Sequence, residues 1–315
     1  MLDILTSIDI TSLMQSTVRL AIPFILAAIG GLFSDTAGVS SIELEAVVLI
    51  GAFAAFAGAY FSGSLIVGLA FAMLAGMLLN LIYAYMVVIV GARAPLVATA
   101  LMLLAIGFTN FFNRALFDVG MEITRVTSMQ AVSIPLLRDI PFLGKVFFEH
   151  NLLGYFTFLL VLAQWFFLKK TALGLEWRSV GENPVAADTA GIPVRRYRMI
   201  GVLLTGVFAG LAGAYLSIAA SNIFIERMSA EKGYAAFAII ILGKYAPGGV
   251  LLGCLLYGFA DALQLNLQAM GADVPNQFLL MLPYLFTLIV LFVSGKGRIP
   301  QGHGKFFAPK SRRRC

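Results

Sequence analysis

The chain has 315 residues, of which 60% are hydrophobic and only 12% are charged, and its formal net charge is +6. A soluble protein carries about 25% charged residues, which cover its surface, so this composition excludes an ordinary soluble domain. Runs of apolar residues longer than about 18 positions instead predict an all-α fold, a single polytopic membrane helical bundle over residues 1–315.

Nine apolar segments follow one another along the chain, and they predict about eight to ten transmembrane helices. The segment 233–243 is short for a full crossing, so we expect a broken or re-entrant helix there. The segments lie near 17–33, 43–61, 64–91, 94–113, 151–168, 199–220, 233–243, 248–269 and 277–294.

A polar stretch separates the first two apolar segments. Residues 34–45 read SDTAGVSSIELE, which is too polar to lie in lipid. This composition predicts an interrupted helix that lines a cavity. The side of the membrane on which the N-terminus lies stays open, because it depends on whether this break adds a change of direction.

Loop charge predicts the orientation of the bundle. Residues 114–150 carry four basic and four acidic side chains, whereas 169–198 carry six basic and three acidic ones. Because cytoplasmic loops are rich in Lys and Arg, we expect 172–198 to be a cytoplasmic loop and 114–150 an extracytoplasmic one. The basic tail 296–315 is then also cytoplasmic, and anionic lipid headgroups rather than nucleic acid account for its charge.

The cytoplasmic loop contains a short helix with complete start and stop signals. Asn183 is an N-cap residue, Pro184 suits the first helical position, and Gly191 follows the last turn. A helix of about seven residues is unstable alone in water, so we expect it to dock on a soluble protein at the membrane surface. The alternative is an ordinary solvated loop with a stabilising turn.

The sequence contains no recognisable catalytic or metal-binding constellation. No serine lies in a G-x-S-x-G turn, and no G-x-x-x-x-G-K-[ST] phosphate loop is present. An integral membrane enzyme is therefore disfavoured, and we expect no catalytic residue, metal or cofactor in this chain. If transport is driven by ATP, the ATP and Mg²⁺ must be bound by a partner ATPase.

The short helix also carries a family motif. Residues 181–191, GENPVAADTAG, resemble the coupling loop of ABC-transporter permeases, in which E-A-A is followed by G. The wider pattern over 174–192, G-x-x-x-R-x-x-G-E-N-P-x-A-A-x-x-A-G-I, is similar to permeases of the simple-sugar and nucleoside branch, which includes the ribose permeases. Further similar stretches lie at 22–39, 206–217, 233–264 and 283–301, whereas SIELEA at 41–46 departs from the N-I-G-L-E-G of that branch.

This resemblance implies a transmembrane permease subunit of a bacterial ABC importer in the cytoplasmic (inner) membrane. Such a subunit moves a nucleoside or simple sugar inward by alternating access, driven by a separate ATPase. The implied partners are the ATPase, an extracytoplasmic solute-binding protein and a second permease, with a heterodimer favoured over a homodimer. The residues implied for coupling to the ATPase are Arg178, Glu182, Asn183, Pro184, Ala186, Ala187 and Gly191.

Polar residues inside apolar segments are candidates for the substrate pathway, because such groups are costly in a membrane. The alternative for each of them is an interhelical hydrogen bond. A rival function, an ion-coupled secondary transporter, would need more buried carboxylates than this chain offers. The pathway candidates are Glu45, Asn80, Asn110, Asp261 and Gln264.

Overall fold

The computed structural model describes residues 10–117, 125–133, 144, 146, 148–270, 275–294 and 300–307. Over these ranges a helix coincides with each of the nine apolar segments, which confirms the predicted helical bundle. The helices are α1 Ile10–Thr36, α2 Leu44–Ser62, α3 Leu65–Ala84, α4 Ala94–Phe117, α5 Leu152–Lys170, α6 Ala172–Glu182, α7 Pro184–Thr189, α8 Val194–Ala214, α9 Lys232–Leu242, α10 Pro247–Ala269 and α11 Asn276–Ser294.

Seven of the helices in the described ranges are long and apolar enough to cross a membrane. They are α1, α2, α3, α4, α5, α8 and α10, of which α3 and α8 continue into π-helical segments, Tyr85–Val90 and Tyr215–Ser221. The remaining apolar helices are α9 and α11. Their apolar stretches are shorter, Lys232–Leu242 in α9 and Gln277–Phe286 in α11. This arrangement agrees with the predicted number of about eight to ten.

Three helices form the centre of the bundle. The most apolar windows of α1, α2 and α8 are 83%, 78% and 67% buried, against 22% for α4, which lies at the periphery. Helix α1 runs antiparallel to α8, since Thr205 donates a hydrogen bond to the Gly30 carbonyl and Tyr215 donates one to the Arg19 carbonyl. The apolar core therefore surrounds α8.

Small residues allow the central helices to approach closely. A Cβ atom on Gly76 of α3 would lie 2.2 Å from the carbonyl oxygen of Gly206 on α8, and one on Gly51 of α2 would lie 2.6 Å from Gly210. Such backbone contact between helices is the usual role of glycine in membrane bundles, where van der Waals packing drives association. The crowding of small residues in these spans is therefore explained by packing.

The predicted break between the first two helices is present. Helix α1 ends at Thr36 and α2 begins at Leu44, and Gly38 between them has a φ of +88°. The backbone of this break lines a cavity of about 170 Å³ together with Arg198 and the turn 91–94. The sequence-based expectation of an interrupted helix beside a cavity is confirmed.

The predicted short helix α9 is about half as long as a bilayer core is thick. Its 11 residues extend about 16 Å at 1.5 Å per residue, against about 30 Å for a bilayer core. It begins beside Glu45 of α2 and ends at a turn in which Lys244 and Tyr245 both have a φ of 55°. The structure thus confirms that this helix is too short for a full crossing, and a broken or re-entrant course through the membrane stays a prediction.

The two ends of the bundle differ in the loops they carry. The loop 171–193, the turn at 91–94 and Tyr245 lie at one end, together with residues 300–307. The opposite end carries a small antiparallel hairpin, β1 Ala131–Ser133 with β2 Glu149–Asn151, in which Ala131 pairs with Asn151. The predicted outer loop 114–150 and the predicted tail 296–315 lie partly outside the described residues.

Candidate functional site: the coupling loop

The coupling loop, residues 171–193, consists of α6 and α7 joined at one shared residue. Asn183 ends α6 and caps α7, because its side chain accepts a hydrogen bond of 3.0 Å from the Ala186 amide. Pro184 occupies the first turn of α7, where its missing N–H costs nothing. The predicted N-terminal signals of the short helix are confirmed.

The C-terminal end of α7 is closed by a Schellman motif. Gly191 has a φ of +84°, and its amide donates to the Asp188 carbonyl at 3.1 Å. The Ile192 amide donates to the Ala187 carbonyl at 3.0 Å, which completes the two hydrogen bonds of this motif. The six residues of α7 are therefore fixed at both ends.

The two faces of α7 have different surroundings. Ala187 is only 4% exposed and packs with Val180, Val194 and Phe307 in a small apolar cluster. The opposite face is open, since Val185 is 42% exposed and Ala186 is exposed. A protein that binds to α7 would therefore contact Val185 and Ala186. Ala187 packs on the opposite, buried face and holds the helix against the rest of the chain.

The other sequence-predicted coupling residues lie around this exposed face. Arg178 is exposed on α6, and Glu182 and Pro184 are half-buried at the junction of the two helices. Asn183 and Gly191 are exposed, and the hydrogen bonds described above show that both serve the geometry of α7. Ala187 is thus the buried one among the seven predicted coupling residues, and their role in coupling stays a prediction.

Three further contacts hold the coupling loop against the bundle. The indole nitrogen of Trp177 donates a hydrogen bond of 2.8 Å to the Phe33 carbonyl at the end of α1. At Gly181, a Cβ atom would lie 2.1 Å from the carbonyl oxygen of Thr36, so α6 touches the α1 backbone directly. The Tyr197 hydroxyl also donates to the Glu176 carboxylate. The loop is therefore part of the folded bundle.

Of the pathway candidates, Glu45 has a clear structural partner. Its carboxylate accepts hydrogen bonds from the Ser229 hydroxyl at 2.5 Å, the Glu231 amide at 3.1 Å and the Gly233 amide at 2.7 Å. These donors lie at the start of α9, where helix amides are unpaired and the helix dipole favours a negative charge. Glu45 therefore caps α9 from α2.

Asp261 lies near the same place. Lys232, the first residue of α9, is 3.4 Å from the Asp261 carboxylate of α10 and 5.0 Å from the centre of the Phe24 ring. The sequence did not single out Lys232 or Ser229, because neither residue lies inside a long apolar segment. Glu45 and Asp261 thus each contact a group at the N-terminus of α9, the Gly233 amide and the Lys232 side chain respectively.

The amide candidates are dispersed over the bundle. Asn80 of α3 donates a hydrogen bond of 2.8 Å to the Val202 carbonyl of α8, which is an interhelical contact. Its carbonyl oxygen and that of Asn110 are buried and have no hydrogen-bond partner among the described residues. Gln264 is 9% exposed on α10. No hydrogen bond among the described residues joins these three side chains to one another or to Glu45.

Glu43 is a buried acidic residue that lies outside the predicted pathway set, as does Asp35. Glu43, at the N-cap of α2, is 1% exposed, and neither carboxylate oxygen has a hydrogen-bond partner among the described residues. Its nearest polar side chains include Tyr83 and Asn80 of α3 and the carboxylate of Asp35. Its position in the polar break was visible in the sequence, but its lack of partners could only be seen in the fold.

Comparison with known proteins identifies the class of this chain. Residues 13–293 match the family model described as "Branched-chain amino acid transport system / permease component". The guanosine ABC transporter permease protein NupQ of Bacillus subtilis (strain 168) is 36% identical over 93% of this chain and 95% of its own length. A second guanosine ABC transporter permease protein of that strain, NupP, is 27% identical over 92% of this chain and 83% of its own length.

Two further comparisons extend this result. The putative glucose ABC transporter permease protein TsgC13 of Haloferax volcanii is 32% identical over 89% of this chain and 90% of its own length. The solved structure of PsaBC from Streptococcus pneumoniae in complex with Fab matches with a TM-score of 0.50 and 15% identity, over 94% of this chain and 96% of the other. At that identity the structural match supports the fold alone.

These findings confirm the resemblance inferred from the coupling-loop motif and disfavour an ion-coupled secondary transporter. The family match, the apolar helices and the coupling loop lead to one conclusion. The chain belongs to the branched-chain amino acid transport system permease family, and it is a multi-pass permease subunit of an ABC importer in the bacterial cytoplasmic membrane.

Proposed function

We propose that this permease moves a nucleoside inward by alternating access. The observation that carries the proposal is the similarity to NupQ, named a guanosine permease, over more than nine tenths of both chains. A simple sugar is the second candidate, because TsgC13, named a putative glucose permease, is also 32% identical over most of its length. The greater identity to NupQ favours the nucleoside.

The energy for transport comes from a partner in this proposal. The sequence has no phosphate loop, so ATP and Mg²⁺ are bound and ATP is hydrolysed in a separate ATPase subunit. This chain binds no cofactor of its own. A solute-binding protein delivers the substrate to the end of the bundle that carries the β1–β2 hairpin.

The second permease is a different chain in this proposal. This chain is similar in sequence to both NupQ and NupP, which are two permeases named for guanosine in one strain. That similarity supports a pair of related but distinct subunits. The translocation path then lies between the two permeases. The candidates Glu45, Asn80, Asn110, Asp261 and Gln264 remain predictions for that path.

Docking of the ATPase takes place on α7. The exposed face with Val185, Ala186 and Thr189 carries small or medium side chains, so α7 can seat closely in a groove. The exposed cations Arg178 and Arg196 flank this face and suit acidic residues at the rim of the groove. Because α7 is capped at both ends, it moves with its partner as a rigid unit.

Reconstitution in liposomes tests this function. The chain is assembled with its ATPase, partner permease and solute-binding protein, and uptake of labelled guanosine, ribose and glucose is measured with and without ATP. We expect guanosine uptake that depends on ATP and on the binding protein. Sugar uptake alone would favour the second candidate, and uptake by the isolated chain under an ion gradient would contradict the proposal.

A further inference from the structure

The segment 300–307 returns to the coupling loop after α11. It contains a turn over 301–304, and Gly304 has a φ of +67° that allows the chain to reverse. Phe307 at its end is 6% exposed, buried beside Ala187 of α7. This segment therefore packs against protein, although the basic tail was expected to have lipid headgroups as its partner.

One side of segment 300–307 contacts the coupling loop. The Gly302 amide donates a hydrogen bond of 2.8 Å to the Gly181 carbonyl. A Cβ atom on Gly302 would lie 2.7 Å from that oxygen and 2.7 Å from the ring of Pro184, the first residue of α7. Segment 300–307 and the start of α7 are thus in direct contact with no space between them.

The other side of the segment contacts the break between α1 and α2. The Gly304 amide donates to the Gly38 carbonyl at 3.1 Å. His303 lies 2.7 Å from a carboxylate oxygen of Asp35, which is fully buried at the end of α1. The segment thus bridges α7 and the break.

The side chain of Arg198 on α8 donates hydrogen bonds both to segment 300–307 and to the break between α1 and α2. Its guanidinium donates to the Lys305 carbonyl at 2.8 Å, the Gly302 carbonyl at 3.2 Å and the Ala37 carbonyl at 3.3 Å. The side chain is 3% exposed, and a buried guanidinium is tolerated only where such partners exist. Arg198 therefore holds segment 300–307 and the break in a fixed relation.

The break in turn reaches two helices of the bundle. Asp35 accepts hydrogen bonds from the Ser41 hydroxyl at 2.7 Å and the Ser41 amide at 3.2 Å, three residues before α2 begins. In the first turn of α2, Glu45 caps α9. The break is therefore linked to α2 and α9 through contiguous contacts.

We propose that segment 300–307 is a strut that transmits the movement of α7 to the break between α1 and α2. Gly302, His303 and Arg198 are positioning residues in this role, since they act through the backbone of the coupling loop and of the break. The proposal rests on docking of the ATPase at α7. It adds a route by which ATP hydrolysis reaches the interior of the bundle.

A purely structural role makes a different prediction. A segment that only stabilises the fold would, when removed, lower the amount of assembled transporter and leave the ratio of substrate moved to ATP hydrolysed unchanged. A strut changes that ratio, because the ATPase still cycles while the bundle no longer follows. The ratio therefore separates the two roles.

The main experiment compares two truncated chains in the complete transporter in liposomes. One chain ends at Ile299 and lacks the strut, and the matched control ends at Phe307 and retains it. We expect the Ile299 chain to move about tenfold less guanosine per ATP, within the range of coupling effects between sites. The Phe307 chain should behave as wild type. A wild-type ratio in the assembled Ile299 chain would overturn the proposal.

A double-mutant cycle covers the case in which the Ile299 chain does not assemble. Asp35→Asn and His303→Gln each change one partner of the 2.7 Å contact between Asp35 and His303, and the two are combined in one chain. If segment 300–307 is a strut, each single variant should move less substrate per ATP hydrolysed. The double variant should lose less than the sum of the two single losses, because both changes break the same contact. Additive losses, or no loss, would overturn the proposal.

Cross-linking separates the failure of this inference from failure of the proposed function. Val185→Cys on the exposed face of α7 is tested for cross-links to the ATPase in the full chain. Absence of any cross-link would contradict the proposed docking. A cross-link together with an unchanged transport ratio in the assembled Ile299 chain would overturn the strut alone.

Discussion

The Glu45 carboxylate accepts a hydrogen bond of 2.7 Å from the backbone amide of Gly233, so the first turn of one helix caps the first turn of another. The two residues are 188 positions apart in the chain. Where α9 begins, a Cβ atom on Gly233 would lie 2.4 Å from the Glu45 backbone. The short helix is therefore held inside the bundle by both hydrogen bonding and close packing.

Substitution of Glu45 tests the importance of this cap. Glu45→Ala leaves the Ser229 hydroxyl and the Glu231 and Gly233 amides without their acceptor. Ser229 and Gly233 are buried, and the loss should cost about 1–3 kcal/mol for each of these two groups. Thermal unfolding in detergent measures the loss. Glu45→Gln keeps an acceptor and should lose less. If Glu45→Ala unfolds at the wild-type temperature, the cap does not stabilise the bundle.

The same pair of variants separates a structural role of Glu45 from a role in the substrate pathway. A purely structural Glu45 predicts that uptake by the assembled Glu45→Gln transporter remains near the wild-type level. A Glu45→Gln protein of wild-type stability that has lost uptake would instead favour the pathway role inferred from the sequence.

Close contact between α3 and α8 predicts a strong effect of side-chain volume. Gly76→Val places its new atoms against the Gly206 backbone, whose oxygen would be 2.2 Å from the Cβ position. Overpacking of this kind costs about 1–3 kcal/mol, so we expect a lower unfolding temperature and less protein in the membrane.

Gly107→Val in α4 is the matched control for this contact, because beyond the neighbouring backbone of α4 no described atom lies within 4 Å of its Cβ position. It should behave like wild type. Equal effects of the two substitutions would show that helix propensity, and not interhelical contact, accounts for the result.

The exposed face of α7 predicts where a bulky residue blocks the ATPase. Ala186→Trp adds volume on the open face and should weaken ATPase binding by about tenfold or more while the permease stays folded. Copurification of the ATPase with the permease measures this. Leu104→Trp on α4 is 50% exposed in the wild type and serves as a control.

Glu182→Lys and Ala187→Trp complete this series. Glu182→Lys reverses a charge beside α7 and should reduce ATPase assembly and uptake. Ala187 is 4% exposed, so Ala187→Trp should act by displacing α7 from its apolar seat and should also lower the unfolding temperature. Wild-type assembly and uptake in Glu182→Lys, Ala186→Trp and Ala187→Trp would contradict docking at this loop.

His150 predicts a dependence of stability on pH. It is 3% exposed on β2 and forms a hydrogen bond of 2.8 Å with the Val146 carbonyl, and burial lowers the pKa of its imidazole. The unfolded chain therefore binds a proton at a higher pH than the folded chain does. The free energy of unfolding should fall as the pH drops through the ordinary histidine pKa of about 6.5 and below.

Measurement of unfolding temperatures between pH 5 and pH 8 tests this effect, with His150→Gln as the comparison. The variant should lose part of the decrease at low pH, since it cannot take up a proton. An identical decrease in both proteins would assign the pH dependence to other groups.

The positions of the helices were predictable because a membrane imposes a local rule. A spanning helix needs about 20 apolar residues, and its backbone must be paired within the helix, so length and hydropathy alone locate each segment. The caps of α7 were predictable for a similar reason, since Asn183, Pro184 and Gly191 act on backbone groups only a few residues away.

The roles of individual polar residues were not predictable in this way. Glu45 and Asn80 were selected as pathway candidates because they are polar residues in apolar segments, and each has a hydrogen-bond partner on another helix. Ala187 was expected at the ATPase interface, and its side chain lies on the buried face of α7, because Phe307 covers it from the far end of the chain.

The sequence by itself determined the nine apolar helices, the break after α1 and the short helix α7, because each depends on interactions within a few residues of chain, whereas α6 was not predicted. The tertiary structure decided which face of α7 is free, that Glu45 caps α9, and that residues 300–307 join α7 to the break. These features depend on contacts between positions more than 100 residues apart, and no local pattern of residue types specifies such a contact.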